Sequence, residues 1–179
     1  PHPHARIKKI DTNKSQTVPG VKGIITAADL PSVEQAGVSF GGELMIALEH
    51  LRQFTLAGDK VLFDGHTVAV VAATTPEAAE YAAELVDVEY EILPPVETVL
   101  EAMESGAPLL HDNLYTDTLG QRPTIPSNIA MVTESSRGNV EKAFQESDVV
   151  LENTYETKMV HQGYIEPQAA TARVEADGH

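Results

Sequence analysis

The sequence predicts a mixed α/β fold of the α+β kind, and three adjoining stretches carry that prediction. Residues 86–92, "VDVEYEI", alternate strictly: Val86, Val88, Tyr90 and Ile92 share one face, and Asp87, Glu89 and Glu91 share the other. Just upstream, Thr75 stands as an N-cap, Pro76 takes the first helical position and Glu77 falls in the first turn of an alanine-rich helix, "EAAEYAAELV". Upstream again, "KVLFDGHTVAVVAATT" (60–75) sets Asp64-Gly65 between two apolar runs. That dipeptide tolerates positive φ, and the stretch predicts a β-hairpin.

The other elements follow in chain order. Residues 5–11 form a plausible first strand. "VPGV" (18–21) has Pro at i+1 and Gly at i+2, as a type II turn requires, and leads into a second strand over 21–26. Thr26 caps the single helical turn that "AADLP" permits before Pro31 ends it. Residues 31–59 are poorly periodic and are expected to be mostly loop; Gly41-Gly42 sits in no strand–helix context, so it is not a phosphate loop. The strand at 67–74 is nearly all small or β-branched residues, so both its faces are expected to be covered. Thr98, with Glu101 as its reciprocal partner, starts a helix that Gly106 stops. Residues 107–127, with prolines at 108, 123 and 126, read as loop and contain the candidate linker. Beyond it come a strand at 128–133, a short helix at 139–147 and a long alternating strand at 148–160. "ATARVEADG" then alternates into the turn of a further hairpin.

Composition removes several classes of function. A chain of 179 residues buries a core without covalent or metal staples. The net charge of −15 argues against nucleic acid, whose phosphates need a basic face, and against an anionic membrane surface. With no cysteine, this chain holds no disulfide, no thiol nucleophile and no cysteine-bound iron–sulfur cluster. That absence fits a reducing compartment, and a cytoplasmic location is the expectation. No apolar run reaches 18 residues, so no helix is expected to span a membrane. A start of "PHPHARIKK" without Met or signal peptide, and an end in a half-finished hairpin, read as a piece of a longer protein.

The candidate chemistry is sparse. The histidines are His2, His4, His50, His66, His111, His161 and His179. His2 and His4 make an H-x-H pair that could ligate a metal on a strand, but prolines flank them and no metal ligand is assigned. His111 and Asp112 adjoin on a loop, where neighbours rarely face each other. Asn13-Lys14-Ser15 matches the glycosylation sequon, with nothing to mark the chain as secreted. The carboxylates of 84–104 fall on one strand face and on exposed helix positions, the pattern of a solvated surface. The densest cluster is "HQGYIEPQAA" (161–170), with His161, Gln162, Tyr164, Glu166 and Pro167. Two readings compete there: a general acid or base at Glu166, or a buried carboxylate that holds the start of the next strand, paired by His161 if the chain turns between them. The order of elements around it favours the structural reading.

Three blocks resemble one family: "PHPHARIKKIDT…PGVKGIITAADLP", "DKVLFDGHTVAVVAATTPEAAEYAAELVDVEYEILPPV" (59–96) and "GNVEKAFQESDVVLENTYETKMVHQGYIEPQAATARVEADG" (138–178). In content and order they are similar to the molybdenum-binding large subunit of the xanthine dehydrogenase/aldehyde oxidase family. "HQGYIEP" looks most like the branch that includes carbon monoxide dehydrogenase-type and hydroxybenzoyl-CoA reductase-type large subunits. The resemblance implies an α/β-hammerhead domain over 1–112, a linker over 113–127, and over 128–179 the truncated N-terminal part of a molybdopterin-binding domain. It implies a parent enzyme that oxidises or hydroxylates an aldehyde, purine, CO or aromatic-type substrate with oxygen from water. Electrons would pass to 2Fe-2S and FAD centres on partner subunits or domains, in an oligomeric assembly. It also implies that the catalytic, pterin-contacting and metal-ligating residues lie beyond residue 179. His161, Gln162, Glu166 and Pro167 are then family markers with a structural role, and the chain alone is inactive and binds no cofactor. The alternative is a free-standing α/β binding or interaction module of the same fold.

Overall fold

Strand β1 (Ala5–Asp11) is the element to which its neighbours pair. The computed structural model describes residues 1–32, 37–40, 44–116, 123–167 and 169–174, with backbone alone at 37–40 and 44–49. The chain divides into two compact units, residues 1–134 and 135–179.

In the first unit β1 lies between β5 (Lys60–Val61) and β7 (Asp87–Ile92), antiparallel to both. Ala5 stands opposite Val61 on one side and Ile92 on the other. A register shift between Ile7 and Lys9 leaves Lys8 out of the ladder, and Lys8 forms an ion pair with Glu91. Val88 and Tyr90 are half-buried and Asp87, Glu89 and Glu91 exposed, as the alternation predicts; Ile92, expected on the inner face, is exposed. The core under this sheet is small: Ala5, Ala57 and Val61, with Ile7, Val68 and Tyr90 packed against it.

The second sheet pairs β2 (Val21–Thr26) with β6 (Ala69–Ala73), antiparallel. Helix α1 (Asn13–Gln16) and helix α3 (Pro76–Glu84) meet where the buried Ser15 hydroxyl donates to the Ala82 carbonyl. The capping signals hold. Thr75 accepts from the Ala78 N–H, and Thr26 caps the 3-10 turn Ala27–Asp29, which has Asp29 as reciprocal partner. Helix α4 (Val99–Met103) carries the Thr98–Glu101 capping box, and Gly106, with φ of 86°, follows its end.

Several expectations are corrected. Residues 37–40 and 44–55 are not loop: β3 (Gly37–Phe40) and β4 (Leu44–Ala47) pair antiparallel, and helix α2 (Leu48–Thr55) follows. The predicted hairpin at 60–75 does not form, because β5 pairs with β1 and β6 with β2. Its turn does form: Gly65 has φ of 81° and the His66 N–H donates to the Phe63 carbonyl. The ladder is intercepted on both sides. The Leu62 N–H donates to His66 Nδ1, and the Thr67 carbonyl accepts from the Ala57 N–H. Strand β6 is not covered on both faces either, since half-buried residues alternate with exposed ones.

Residues 107–116 and 123–127 carry no helix or strand, as expected of a loop, and side chains hold them in place. Asn128 accepts from the Leu110 N–H and donates to the Ala102 and Pro108 carbonyls. The buried Thr116 hydroxyl donates to the Ile129 carbonyl. The predicted strand at 128–133 is absent; the Ile129 carbonyl accepts from Thr116 and its N–H donates to Ser127 Oγ, not to a neighbouring strand.

In the second unit the short helix predicted at 139–147 forms as α5 (Val140–Glu146), and Asn139 caps it. The strand expected at 148–160 is not formed, nor is one at 169–174. Its apolar positions Val149, Leu151, Tyr155 and Met159 are exposed, and alternation without a partner strand does not make a sheet. The predicted final turn, 176–178, lies outside the described residues.

Gly20 sits at φ of 97°, and a Cβ there would stand 2.6 Å from Thr74 Oγ1. Gly65 has positive φ but open space around it. Gly20→Ala is therefore expected to cost more than the about 1 kcal/mol typical of a strained position, and Gly65→Ala less than Gly20→Ala. Denaturant midpoints of the two variants check the order.

Candidate functional site

The sequence motif and the structural cluster fall in different places. In the second unit His161, Gln162, Glu166 and Pro167 are all exposed. The Gly163 N–H donates to His161 Nδ1 at 3.0 Å with Gly163 at φ of 69°, and the His161 and Tyr164 rings lie 5.3 Å apart. That is a local turn. Glu166 is not the buried carboxylate of the structural reading; with Tyr164, Pro167 and Ala169 it lines a shallow hollow. The H-x-H pair separates by role. His2 meets the Tyr90 ring edge-on, with centroids 5.0 Å apart, whereas His4 is buried and donates through Nδ1 to the Pro94 carbonyl at 2.8 Å.

The cluster forms in the first unit, where α2, β5 and the loop at 109–113 surround a cavity of about 370 Å³. His50, Arg52 and Gln53 come from α2, Lys60 from β5, and His111 and Asp112 from the loop. Lys60 is only 3% exposed. Its ammonium donates to the Leu109 carbonyl at 3.1 Å, the Leu110 carbonyl at 3.3 Å and Asp112 Oδ1 at 2.7 Å, so its three hydrogens are all used. Arg6 reaches the other Asp112 oxygen at 3.5 Å. The Lys60 hydrogen bond, followed by the charges of Lys60 and Arg6, holds the Asp112 carboxyl below its ordinary range against the opposing effect of burial.

The imidazoles are ordered by their neighbours. His66 accepts the Leu62 N–H at Nδ1, so Nε2 carries the hydrogen it donates to the Gln53 carbonyl at 2.9 Å. His111 Nδ1 donates to Gln53 Oε1 at 3.0 Å, which leaves Nε2 as the bare nitrogen. Rings run in a continuous series. His66 stacks on Phe63 at 4.4 Å, Phe63 on Phe54 at 6.3 Å, Phe54 meets His111 at 6.3 Å, and His111 meets His50 at 5.2 Å. Burial pushes His111 below the usual histidine range; His50 and Lys60 add to this, and Asp59 and Asp112 oppose it.

Sequence reasoning missed this cluster. Residues 50–53 fell in a stretch read as loop, and His111 was read as an unpartnered loop residue. The signal that could have found part of it is the spacing of His50 and Gln53, one turn apart on α2. Nothing in the spacing links them to His111, which is 58 residues from Gln53.

Neither hollow fits the pterin cofactor that the resemblance implies. A pterin pyrophosphate needs free donors. In the cavity the Lys60 hydrogens are committed, Arg52 donates to the Ala27 carbonyl while its Nε–H is buried without a partner among the described residues, and Asp59 and Asp112 add negative charge. The hollow at 164–169 presents the Glu166 side chain and a proline. Among the described residues, no three His, Asp or Glu side chains group to hold a metal ion, and no helix is long and apolar enough to cross a membrane.

Because His111 is depressed in the folded state, its contribution to stability is present above pH 6.5 and lost as pH falls through the folded value. Between pH 7 and pH 5 the wild type should therefore lose more stability than His111→Gln. Urea midpoints across that range measure the difference.

Comparison with known proteins places the chain. The family profile described as aldehyde oxidase and xanthine dehydrogenase, a/b hammerhead domain, matches residues 1–94, and that of the molybdopterin cofactor-binding domain matches 122–179. The nicotinate dehydrogenase large molybdopterin subunit of Eubacterium barkeri is 30% identical over 98% of this chain and 36% of its own length. The carbon monoxide dehydrogenase large chain of Afipia carboxidovorans is 34% identical over 92% of this chain and 20% of its own. Among solved structures, reconstituted CO dehydrogenase from Oligotropha carboxidovorans is 42% identical with a TM-score of 0.50, over 60% of this chain and 13% of that one. The chain thus spans between about a fifth and about a third of the length of these curated relatives. It belongs to the aldehyde oxidase and xanthine dehydrogenase family, as that family's a/b hammerhead domain followed by the start of a molybdopterin cofactor-binding domain.

Proposed function

We propose that the chain is part of the large subunit of a molybdenum hydroxylase, and that its own role there is structural. The domain division that goes with this reading is a hammerhead over 1–112, a linker over 113–127 and the first part of the cofactor-binding domain from 128. The profile matches, which leave 95–121 between them, support it. The parent enzyme oxidises or hydroxylates a small molecule with oxygen from water. It passes electrons to 2Fe-2S and flavin centres on partner subunits or domains. The observation that carries the reading is the hammerhead match over residues 1–94, joined to relatives named as large subunits or chains.

The distribution of polar groups agrees with a structural role. The buried, chemistry-capable side chains His4, Lys60 and His66 are tied to backbone carbonyls. No catalytic residue or molybdenum ligand is assigned in this chain, and His161, Gln162, Glu166 and Pro167 remain family markers.

Turnover of the whole enzyme in ¹⁸O-labelled water tests both parts of the reading. The product should carry the label, and Glu166→Gln should give the same rate per bound molybdenum as the wild type. Label arriving from dioxygen would contradict the reaction class. Intact molybdenum loading with abolished turnover in Glu166→Gln would contradict the structural role of that residue.

A further inference from the structure

We infer that His50 and His111 form a binding site for a divalent transition-metal ion of the zinc type, separate from the molybdenum chemistry. This goes beyond the proposed function and revises the expectation that no residue here ligates a metal. The first observation is geometric. A tetrahedral zinc holds imidazole nitrogens at about 2.05 Å, which puts each ring centroid about 3.2 Å from the ion and two such centroids about 5.2 Å apart. The His50 and His111 centroids are 5.2 Å apart, and both rings line the same cavity.

The second observation is the tautomer. A ligating histidine commonly donates its other ring N–H to an oxygen, which fixes the bare nitrogen and orients the ring. His111 does this through Gln53 Oε1 at 3.0 Å. Gln53 sits one helical turn from His50, so a single segment of α2 supplies one ligand and orients the other. Among the described residues the His50 ring makes no hydrogen bond and only the ring contact with His111. Burial of His111 favours the neutral ring, the form that binds metal.

The charged groups lining the cavity with this pair are Arg52 from α2, Lys60 from β5, Asp59 just before it and Asp112 from the loop. Lys60 is neutralised by Asp112, while Arg52, which lines the same cavity from α2, donates to the Ala27 carbonyl. No third His, Asp or Glu of the described residues is grouped with the pair, so water completes the coordination shell. Two imidazoles with water suit zinc, copper or nickel; calcium and magnesium prefer oxygen cages.

The test is equilibrium dialysis of the untagged full chain against Zn²⁺, with His50→Gln, His111→Gln and Gln53→Ala as variants and His161→Gln as the control. One ion should bind per chain. His50→Gln and His111→Gln should each weaken binding at least tenfold, Gln53→Ala by about 10- to 100-fold, and His161→Gln not at all. A second measurement needs no variant: Zn²⁺ should protect His50 and His111 of the wild type from diethyl pyrocarbonate while His161 still reacts. Absence of binding, binding indifferent to both histidine variants, or unprotected His50 and His111 would each overturn the proposal.

Discussion

The first unit depends on one buried cation. Lys60 lies on a two-residue strand at the edge of the β5-β1-β7 sheet, and its ammonium is out of water. A desolvated ammonium with no partner costs several kcal/mol, so the surrounding chain must supply acceptors. The Leu109 and Leu110 carbonyls and Asp112 do so, and Asp112 also meets Arg6 of β1. A single side chain thereby fixes a loop with no regular structure against two strands. The same constraint places His111 beside α2, because its two neighbours in sequence, Leu110 and Asp112, are both bound to Lys60.

What was legible in the sequence was local. Caps act across three or four residues, and Thr26, Thr75 and Thr98 all cap as their context says. Alternation marked β7 correctly because β1 is there to pair with it. The same alternation at 148–160 gives no strand, because periodicity describes a face and does not provide a partner. The Asp64-Gly65 signal shows a finer limit. The turn is real, yet the His66 ring takes the Leu62 N–H and Ala57 takes the Thr67 carbonyl, so the hairpin cannot zip.

The candidate site divides along the same line. "HQGYIEPQAA" drew attention because its polar residues adjoin in sequence, and in the second unit its His161, Gln162, Glu166 and Pro167 are exposed around a simple turn. The cluster that the fold builds joins residues 50, 53, 60, 111 and 112, which no spacing rule connects. Resemblance to a family located the hammerhead; the histidine pair became visible only through tertiary packing.

The central claim is that the chemistry-capable groups of this chain hold structure and leave molybdenum chemistry to the rest of the enzyme. The most direct measurement is the molybdenum content and turnover of residues 1–179 expressed alone and shown by circular dichroism to be folded. The account predicts no stoichiometric molybdenum and no oxidation of aldehydes, purines or CO. Stoichiometric molybdenum together with turnover would contradict it.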